Sequence, residues 1–185
     1  VGSEMCIRDR RFSRDMFLLS FYLRGIPFVD LVHLRKTDVK HNTIYYYRHK
    51  TRQQLSVHIE SYAAQIINRY KNEAASSPYL LLILSLTGED GYRQYKSALR
   101  LYNQHLHTLS KMLRLSIPLT SYVARHSWAT TAKDEGVAIS VISESLGHTS
   151  EKVTHVYLAS FDNNAMSKAN KKVIATIHPN KKKKP

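Results

Sequence analysis

The chain has 185 residues, of which 43% are apolar, and it carries 28 Lys and Arg against 14 Asp and Glu. This length and apolar content suit one domain with one hydrophobic core, so we expect a single folding unit. The net charge of +14 falls only to +10 when the run Lys181–Lys184 is left out. Positive charge spread in this way favours a polyanionic partner, although charge alone leaves nucleic acid and plain solubility about equally open.

Two classes of protein are excluded by cysteine usage and by the length of the apolar runs. Cys6 is the only cysteine, so no disulfide can form within the chain, which fits the reducing cytoplasm. The longest apolar run, Tyr79–Leu86, is far shorter than the roughly 20 residues that cross a bilayer. It predicts a buried strand or a loop.

Helical periodicity begins only after the first ten residues. Residues 1–10 show no helical or strand period, and we interpret them as an expression-vector or sequence-assembly scar. A first helix is predicted from about Ser13 to Leu23, ended by Gly25. A second, short helix is predicted over Phe28–Leu34, after Pro27.

The next segment has the pattern of a β-hairpin. Thr43–Tyr47 is β-branched and aromatic, and Leu55–Ile59 alternates between apolar and polar residues. Between them lies the basic stretch Arg48–Gln54. We therefore expect two antiparallel strands with a basic tip.

Helical patterns return after the hairpin and continue to the last third of the chain. Apolar residues at steps of three and four, with glycine stops, predict helices over Glu60–Asn72, Tyr92–Leu115, Thr120 or Ser121 to Gly136, Ala138–Leu146, and a last helix capped by Thr149 or Ser150. The predicted fold class is mainly α with a small antiparallel β-sheet.

The last of these helices lie within the stretch with the most specific pattern, residues 119–158. Arg125 precedes His148 by 23 positions, and His148 precedes Tyr157 by 9. This spacing resembles the C-terminal signature of the tyrosine recombinases, also called the phage integrase family. The resemblance extends over about 12–170, and it implies the catalytic-domain fold of that family over residues 11–178.

The resemblance implies a role for each of the three residues. Tyr157 would attack a DNA phosphate; because a free phenol has a pKa near ~10, it needs positive charge and a proton acceptor nearby. The Arg125 guanidinium would grip two phosphate oxygens and stabilise the transition state. A ring nitrogen of His148 would donate to a phosphate oxygen.

The basic tip of the hairpin carries a further candidate. Lys50 stands where the family carries its hairpin lysine, which implies that its ammonium protonates the departing 5′ oxygen. The alternative is a lysine that only contacts the DNA backbone, which is the role we expect for Arg48 and Arg52. Arg35 is a third candidate for DNA binding.

Two positions depart from the family pattern. Tyr122 stands three residues before Arg125, where most members have a histidine; it can hydrogen-bond a phosphate but cannot act as an imidazole base. Pro27 fills the slot of the family's first arginine, three residues before the acidic Asp30. Arg24 is the nearest arginine and is our candidate substitute.

Arg14 and Arg35 are weaker candidates to replace the displaced arginine, and Asp30 is expected to orient an arginine or a helix end. The forms Arg-Gly-x-Pro-Phe-x-Asp and Tyr-x-Ala-Arg-His resemble integrases of Bacteroidetes mobile elements. Both departures then belong to a subfamily.

The resemblance implies a site-specific DNA recombinase that works through a 3′-phosphotyrosine without metal, ATP or another cofactor. Its partners would be double-stranded DNA and other protomers in a tetrameric synapse, and it would be cytoplasmic, or nucleoid-associated when bound to DNA. Nothing in the sequence corresponds to the family's N-terminal core-binding domain, and residues 179–185 are expected to be a disordered basic tail. The alternatives are a DNA-binding module without activity and a type IB topoisomerase-like enzyme.

Overall fold

The computed structural model describes residues 2–159, with side chains from Arg8 to Leu158. Within this range it confirms the predicted fold class. The helices and strands are α1 (Gly2–Tyr22), α2 (Phe28–His33), β1 (Val39–Lys40), β2 (Thr43–Tyr47), β3 (Gln54–His58), α3 (Ser61–Tyr70), α4 (Gly88–Met112), α5 (Val123–Asp134), α6 (Ile139–Leu146) and α7 (Glu151–Ala159). The predicted order of elements is confirmed, and most ends differ by a few residues.

Helix α1 is the central element and packs against α3, α4 and α5. Met16 and Leu19, together with Leu23 just past the helix end, are fully buried, because steps of three and four residues place them on one helical face. The helix begins at Gly2 rather than near Ser13. The interpretation of residues 1–10 as a scar stays a prediction.

The three strands form one antiparallel sheet in the order β1-β2-β3. Strands β2 and β3 pair from Thr43 opposite His58 to Tyr47 opposite Gln54, which confirms the predicted hairpin. Strand β1 has only two residues, too few to show a period of two in the sequence. The buried face of β2 and β3 carries Ile44, Tyr46, Leu55 and Val57.

The apolar run Tyr79–Leu86 is a loop within the core. Its one strand-like contact is an isolated bridge between Tyr79 and Arg35. Leu81 and Leu84 of this loop are 1% exposed. The loop therefore supplies core residues without forming a strand, which settles the alternative left open by the sequence.

Two hydrophobic clusters of unequal size hold the described part of the chain together. The larger one joins the helices α1, α2, α3 and α4 to the sheet and has twenty buried residues. The smaller one, here called the α5–α7 cluster, consists of Ala129, Ile142, Leu146 and Leu158, with Tyr157 among the residues packed against it. No helix within residues 2–159 has the length and hydropathy needed to cross a membrane.

Candidate active site

Arg125 lies in the first turn of α5 and is 2% exposed. Its Nη1 donates to the Gly25 carbonyl at 3.0 Å and its Nη2 to the Leu146 carbonyl at 2.5 Å. A side chain at Gly25, where φ is +69°, would place its Cβ 2.7 Å from the Arg125 Cα. The glycine that ends the predicted first helix is therefore needed to let Arg125 pack against this turn.

His148 follows Gly147, which ends α6 in the left-handed conformation with φ 64°. Its Nδ1 lies 2.7 Å from Thr154 Oγ1, and its Nε2 lies 3.3 Å from Arg125 Nη2. Because a guanidinium can only donate, Nε2 accepts and the proton of the neutral ring is on Nδ1. Burial, with the charges of Arg125, Arg48 and Lys50, lowers the pKa of His148 to about 4. The ring is therefore neutral near pH 7.

Tyr157 lies on α7 among aromatic rings. Its ring stacks on His126 with centroids 4.3 Å apart and planes 8° apart, and it meets His148 edge-on at 5.6 Å. Burial raises the pKa of the Tyr157 phenol, and the charge of Arg125 opposes this rise. The phenol is thus neutral at pH 7, and a proton acceptor would be needed for its oxygen to act as a nucleophile.

Tyr122 caps the start of α5 and is half exposed. Its ring lies 5.1 Å from that of His126 and 6.5 Å from that of Tyr157. The His126 ring stacks on that of Tyr157, and burial together with the charge of Arg125 lowers the pKa of His126.

The tip of the hairpin reaches the loop that carries His148. Thr51 Oγ1 donates to the Gly147 carbonyl at 3.2 Å. Lys50, next to it, is exposed, and its charge contributes to the lowered pKa of His148. The structure therefore brings together Lys50, Arg125, His148, Tyr157 and Tyr122, which lie up to 107 positions apart in the sequence.

Arg48 is largely buried, and its predicted contact with DNA stays a prediction. It is 5% exposed, and its Nη1 donates to the Asp30 carboxylate. The backbone N–H of His49 donates to the same carboxylate at 2.9 Å. In the alternation of β2 the buried positions are Ile44 and Tyr46, so that Arg48 is the next position on that face. This period was visible in the sequence.

The other three arginines lie apart from this assembly. Arg24, with φ 58°, lines a groove beside Gln54 of β3 and Glu144 of α6. Arg35 and Arg52 are exposed and border a second groove beneath the hairpin. Their roles, as substitute arginine and as DNA contacts, stay predictions.

Comparison with known proteins agrees with the geometry. The model of the phage integrase family matches residues 7–164. A search of the curated proteins found no match. The fold is similar to XerA recombinase, with 17% identity and a TM-score of 0.61 over 88% of this chain and 62% of that chain.

Two further solved structures share the fold. The lambda integrase fragment 75-356, a dimer bound to a COC′ core site, has 14% identity and a TM-score of 0.58, over 83% of this chain and 53% of that one. The Tn1549 transposon integrase, in complex with transposon right end DNA, has 14% identity and a TM-score of 0.60, over 85% and 56%. This chain thus spans just over half to about three fifths of their lengths.

The family model covers most of the chain, the fold is that of these recombinases, and Arg125, His148 and Tyr157 meet at one place. The chain belongs to the phage integrase family, the tyrosine recombinases.

Proposed function

We propose that this chain is the catalytic domain of a site-specific DNA recombinase that cuts and rejoins DNA strands through a 3′-phosphotyrosine. The observation that carries the proposal is the meeting of Arg125, His148 and Tyr157 within one chain. Arg125 bonds His148, and the His148 ring contacts that of Tyr157. Lys50 of the hairpin completes the group by acting on His148.

In the cleavage step the Tyr157 oxygen attacks the scissile phosphorus. A Tyr–O–P bond forms, the bond from phosphorus to the 5′ oxygen breaks, and the phenolic proton passes to a non-bridging oxygen of the phosphate and from there to solvent. The Lys50 ammonium, exposed at the hairpin tip, gives a proton to the departing 5′ oxygen. The 5′ hydroxyl of a partner strand then attacks the phosphotyrosine, which reverses the step. The energy of the phosphodiester is kept throughout, so the reaction draws on no ATP.

Arg125 and His148 bind the scissile phosphate. The buried guanidinium of Arg125 supplies N–H groups in a fixed fork, which suits two non-bridging oxygens and the charge of the transition state. In the free protein His148 Nε2 accepts from Arg125. A bound phosphate adds negative charge, which raises the pKa of His148 and lets Nε2–H donate to phosphate.

DNA and further protomers are the proposed partners. The similar lambda integrase and Tn1549 integrase structures contain DNA, and the lambda structure is a dimer. The net charge of +14 favours the same polyanion. We expect the affinity of this chain for DNA to fall steeply with salt, because phosphate contacts release counterions.

The test uses a pool of labelled nicked duplexes with randomised sequence around the nick, because the target sequence is unknown. Wild-type protein should form an adduct that survives SDS, since the short strand released at the nick cannot rejoin. Tyr157→Phe should form none, while Tyr62→Phe, which changes an exposed tyrosine of α3, should behave as wild type. Binding of DNA with no adduct from any member of the pool would favour a module that only binds. Relaxation of plasmid without strand exchange would favour the topoisomerase-like reaction.

A further inference from the structure

Pro27 stands where the family has its first arginine. This leaves open which guanidinium binds the phosphate together with Arg125. Pro27 precedes α2, and its carbonyl accepts the backbone N–H groups of Asp30 and Leu31. Asp30 is buried and binds Arg48, which comes from the end of β2. The acidic position of the family pattern is therefore joined to an arginine that arrives from another element.

Arg48 and Arg125 lie on either side of one turn. Arg125 Nη2 donates to the Leu146 carbonyl. A Cβ built on the next residue, Gly147, would lie 2.9 Å from Arg48 Cγ. His148 follows directly in the chain and bonds Arg125. The two guanidinium side chains thus converge on the residues that carry the site histidine.

This convergence leaves unbalanced positive charge inside the protein. Arg48 and Arg125 are 5% and 2% exposed, and Asp30 is the one carboxylate bound to either among the described residues. The Nε atoms of both arginines are buried with no hydrogen-bond partner in that part of the chain. Burial and then the charge of Arg48 lower the pKa of Arg125. Buried donors and like charges of this kind are costly unless an anion satisfies them.

We propose that Arg48 is the second arginine that binds the scissile phosphate, with Asp30 as the residue that positions it. The inference rests on the proposed function, because the anion that fits between the two guanidiniums is the phosphodiester that Tyr157 attacks. Asp30 holds Nη1 of Arg48 and leaves its other N–H groups for the phosphate.

Arg24, the substitute expected from the sequence, is placed less well for this role. It lines the groove between β3 and α6 with Gln54 and Glu144. The charges of Arg24, Arg48 and Arg125 all act on Tyr46, and the charge of Arg48 acts in addition on Arg125 and His148. The backbone of Arg24 also has a positive φ of 58°, which turns the chain at the end of α1.

The test compares adduct formation on two nicked substrates, one with a normal scissile phosphate and one with an uncharged methylphosphonate. Arg48→Ala should slow the reaction of the normal phosphate by about 100-fold or more. On the methylphosphonate the loss should shrink to less than about tenfold, because the group no longer carries the charge that Arg48 neutralises. Arg24→Ala should cost less than Arg48→Ala on the normal phosphate, and Arg93→Ala, an exposed site on α4, serves as the matched control.

An equal loss on both substrates, or no loss, would overturn the proposal; an equal loss would leave Arg48 as a residue that only supports the hairpin. Where Arg48→Ala fails to fold, Arg48→Lys keeps the charge beside Asp30 but lacks the fork; its loss should be smaller than that expected for Arg48→Ala and should still be larger on the normal phosphate than on the methylphosphonate.

A second measurement separates this proposal from the proposed function. Inorganic phosphate should raise the melting temperature of the wild type and of Arg93→Ala, and it should raise that of Arg48→Ala or Arg48→Lys by less than half as much. Equal shifts in all four proteins would overturn the role of Arg48 even if Tyr157 forms the adduct. Absence of any adduct from the wild type would instead count against the proposed function, while the phosphate shifts still decide on Arg48.

Discussion

Two groups of charged side chains lie in the interior, and they differ in how completely their charges are paired. In the first, between α1 and α3, Asp15 is 1% exposed and accepts hydrogen bonds from Arg14 at 2.7 Å, Arg69 at 2.5 Å and the Tyr70 hydroxyl at 2.7 Å. Both guanidiniums also reach solvent, with side chains 53% and 38% exposed. We call these residues the Asp15 group.

The second group, here called the arginine pair, consists of Arg48 and Arg125 with the carboxylate of Asp30. Here the cations are buried, and among the described residues only Arg48 bonds the carboxylate, whereas Arg14 and Arg69 both bond Asp15. Burial raises the pKa of Asp15, but hydrogen bonds from Tyr70, Arg14 and Arg69 outweigh it and leave this pKa below its usual value. For Arg125, burial and the nearby Arg48 both act against the charged form. A buried charge whose partners are complete stabilises the fold, whereas one whose partners are incomplete is suited to a ligand.

The largest expected effect is that of Arg125→Met on activity. Adduct formation should fall by about 1000-fold, because the proposed main donor to the transition state is lost. The free energy of unfolding should change by less than about 2 kcal/mol, because a desolvated guanidinium is replaced by an apolar side chain of similar length. Single-turnover kinetics and urea unfolding measure the two quantities. A loss of stability well above this bound would place Arg125 with the structural charges.

Asp15→Ala should have the opposite profile. Removing the carboxylate leaves the Tyr70 hydroxyl and Arg69 without their partner, at a cost of about 2 kcal/mol in the free energy of unfolding. The rate of adduct formation per folded molecule should stay as in the wild type. Because the pKa of Asp15 is lowered in the folded state, its contribution is present above the unfolded pKa near ~3.9 and is lost as pH falls below it. Urea unfolding at pH 7 and pH 3 checks both statements, and a variant that is equally destabilised at both values would contradict them.

A smaller effect is expected from a bound anion, which should stabilise the fold through the arginine pair and not through the Asp15 group. Inorganic phosphate at about ten times its dissociation constant should raise the free energy of unfolding of the wild type by about 1.4 kcal/mol. Sodium chloride at equal ionic strength is the control for general screening. Asp15→Ala should keep the full increase, and Arg125→Met should lose most of it. Equal increases in both variants would mean that phosphate acts elsewhere.

The smallest expected effect concerns the pH dependence of stability. Because the pKa of His148 is lowered to about 4 in the folded protein, the unfolded state binds more protons between about pH 6.5 and pH 4. Stability from this residue is thus present above pH 6.5 and is lost as the pH falls. His148→Gln should reduce the slope of the unfolding free energy against pH by about 0.5 kcal/mol per pH unit. This is below the ~1.4 kcal/mol per pH unit that one fully titrating group gives. His58→Gln, exposed on β3, should leave the slope unchanged in melting curves from pH 4 to pH 7.

The periodic parts of the chain could be predicted because one face of each is buried. Steps of three and four residues gave the helices, and the alternation in Thr43–Tyr47 and Leu55–Ile59 gave the hairpin. Strand β1 has two residues and no period to detect. Helix α1 begins at Gly2, in a segment without an amphipathic pattern, so its start could not be located.

That Arg125, His148 and Tyr157 lie together could be predicted from their spacing, whereas contacts decided by long-range packing could not. Arg48 was predicted to contact the DNA backbone, and nothing in the sequence indicated a buried partner for it. Only the fold shows that Asp30, from α2, lies beneath the end of β2 and accepts its guanidinium. The stack of His126 on Tyr157 likewise depends on how α5 meets α7.

Because the two hydrophobic clusters differ in size, the helix that carries Tyr157 should open more easily than the rest of the fold. Helix α7, which carries Tyr157, packs on α5 and α6, and within residues 2–159 the α5–α7 cluster has four buried apolar residues against twenty in the larger one. Opening of such a lightly packed unit costs less free energy than global unfolding. The amides of α7 should therefore exchange with solvent deuterium sooner than those of α1. Tyr157, the proposed nucleophile, would then move with α7 while Arg48 and Asp30, which belong to other elements, keep their places.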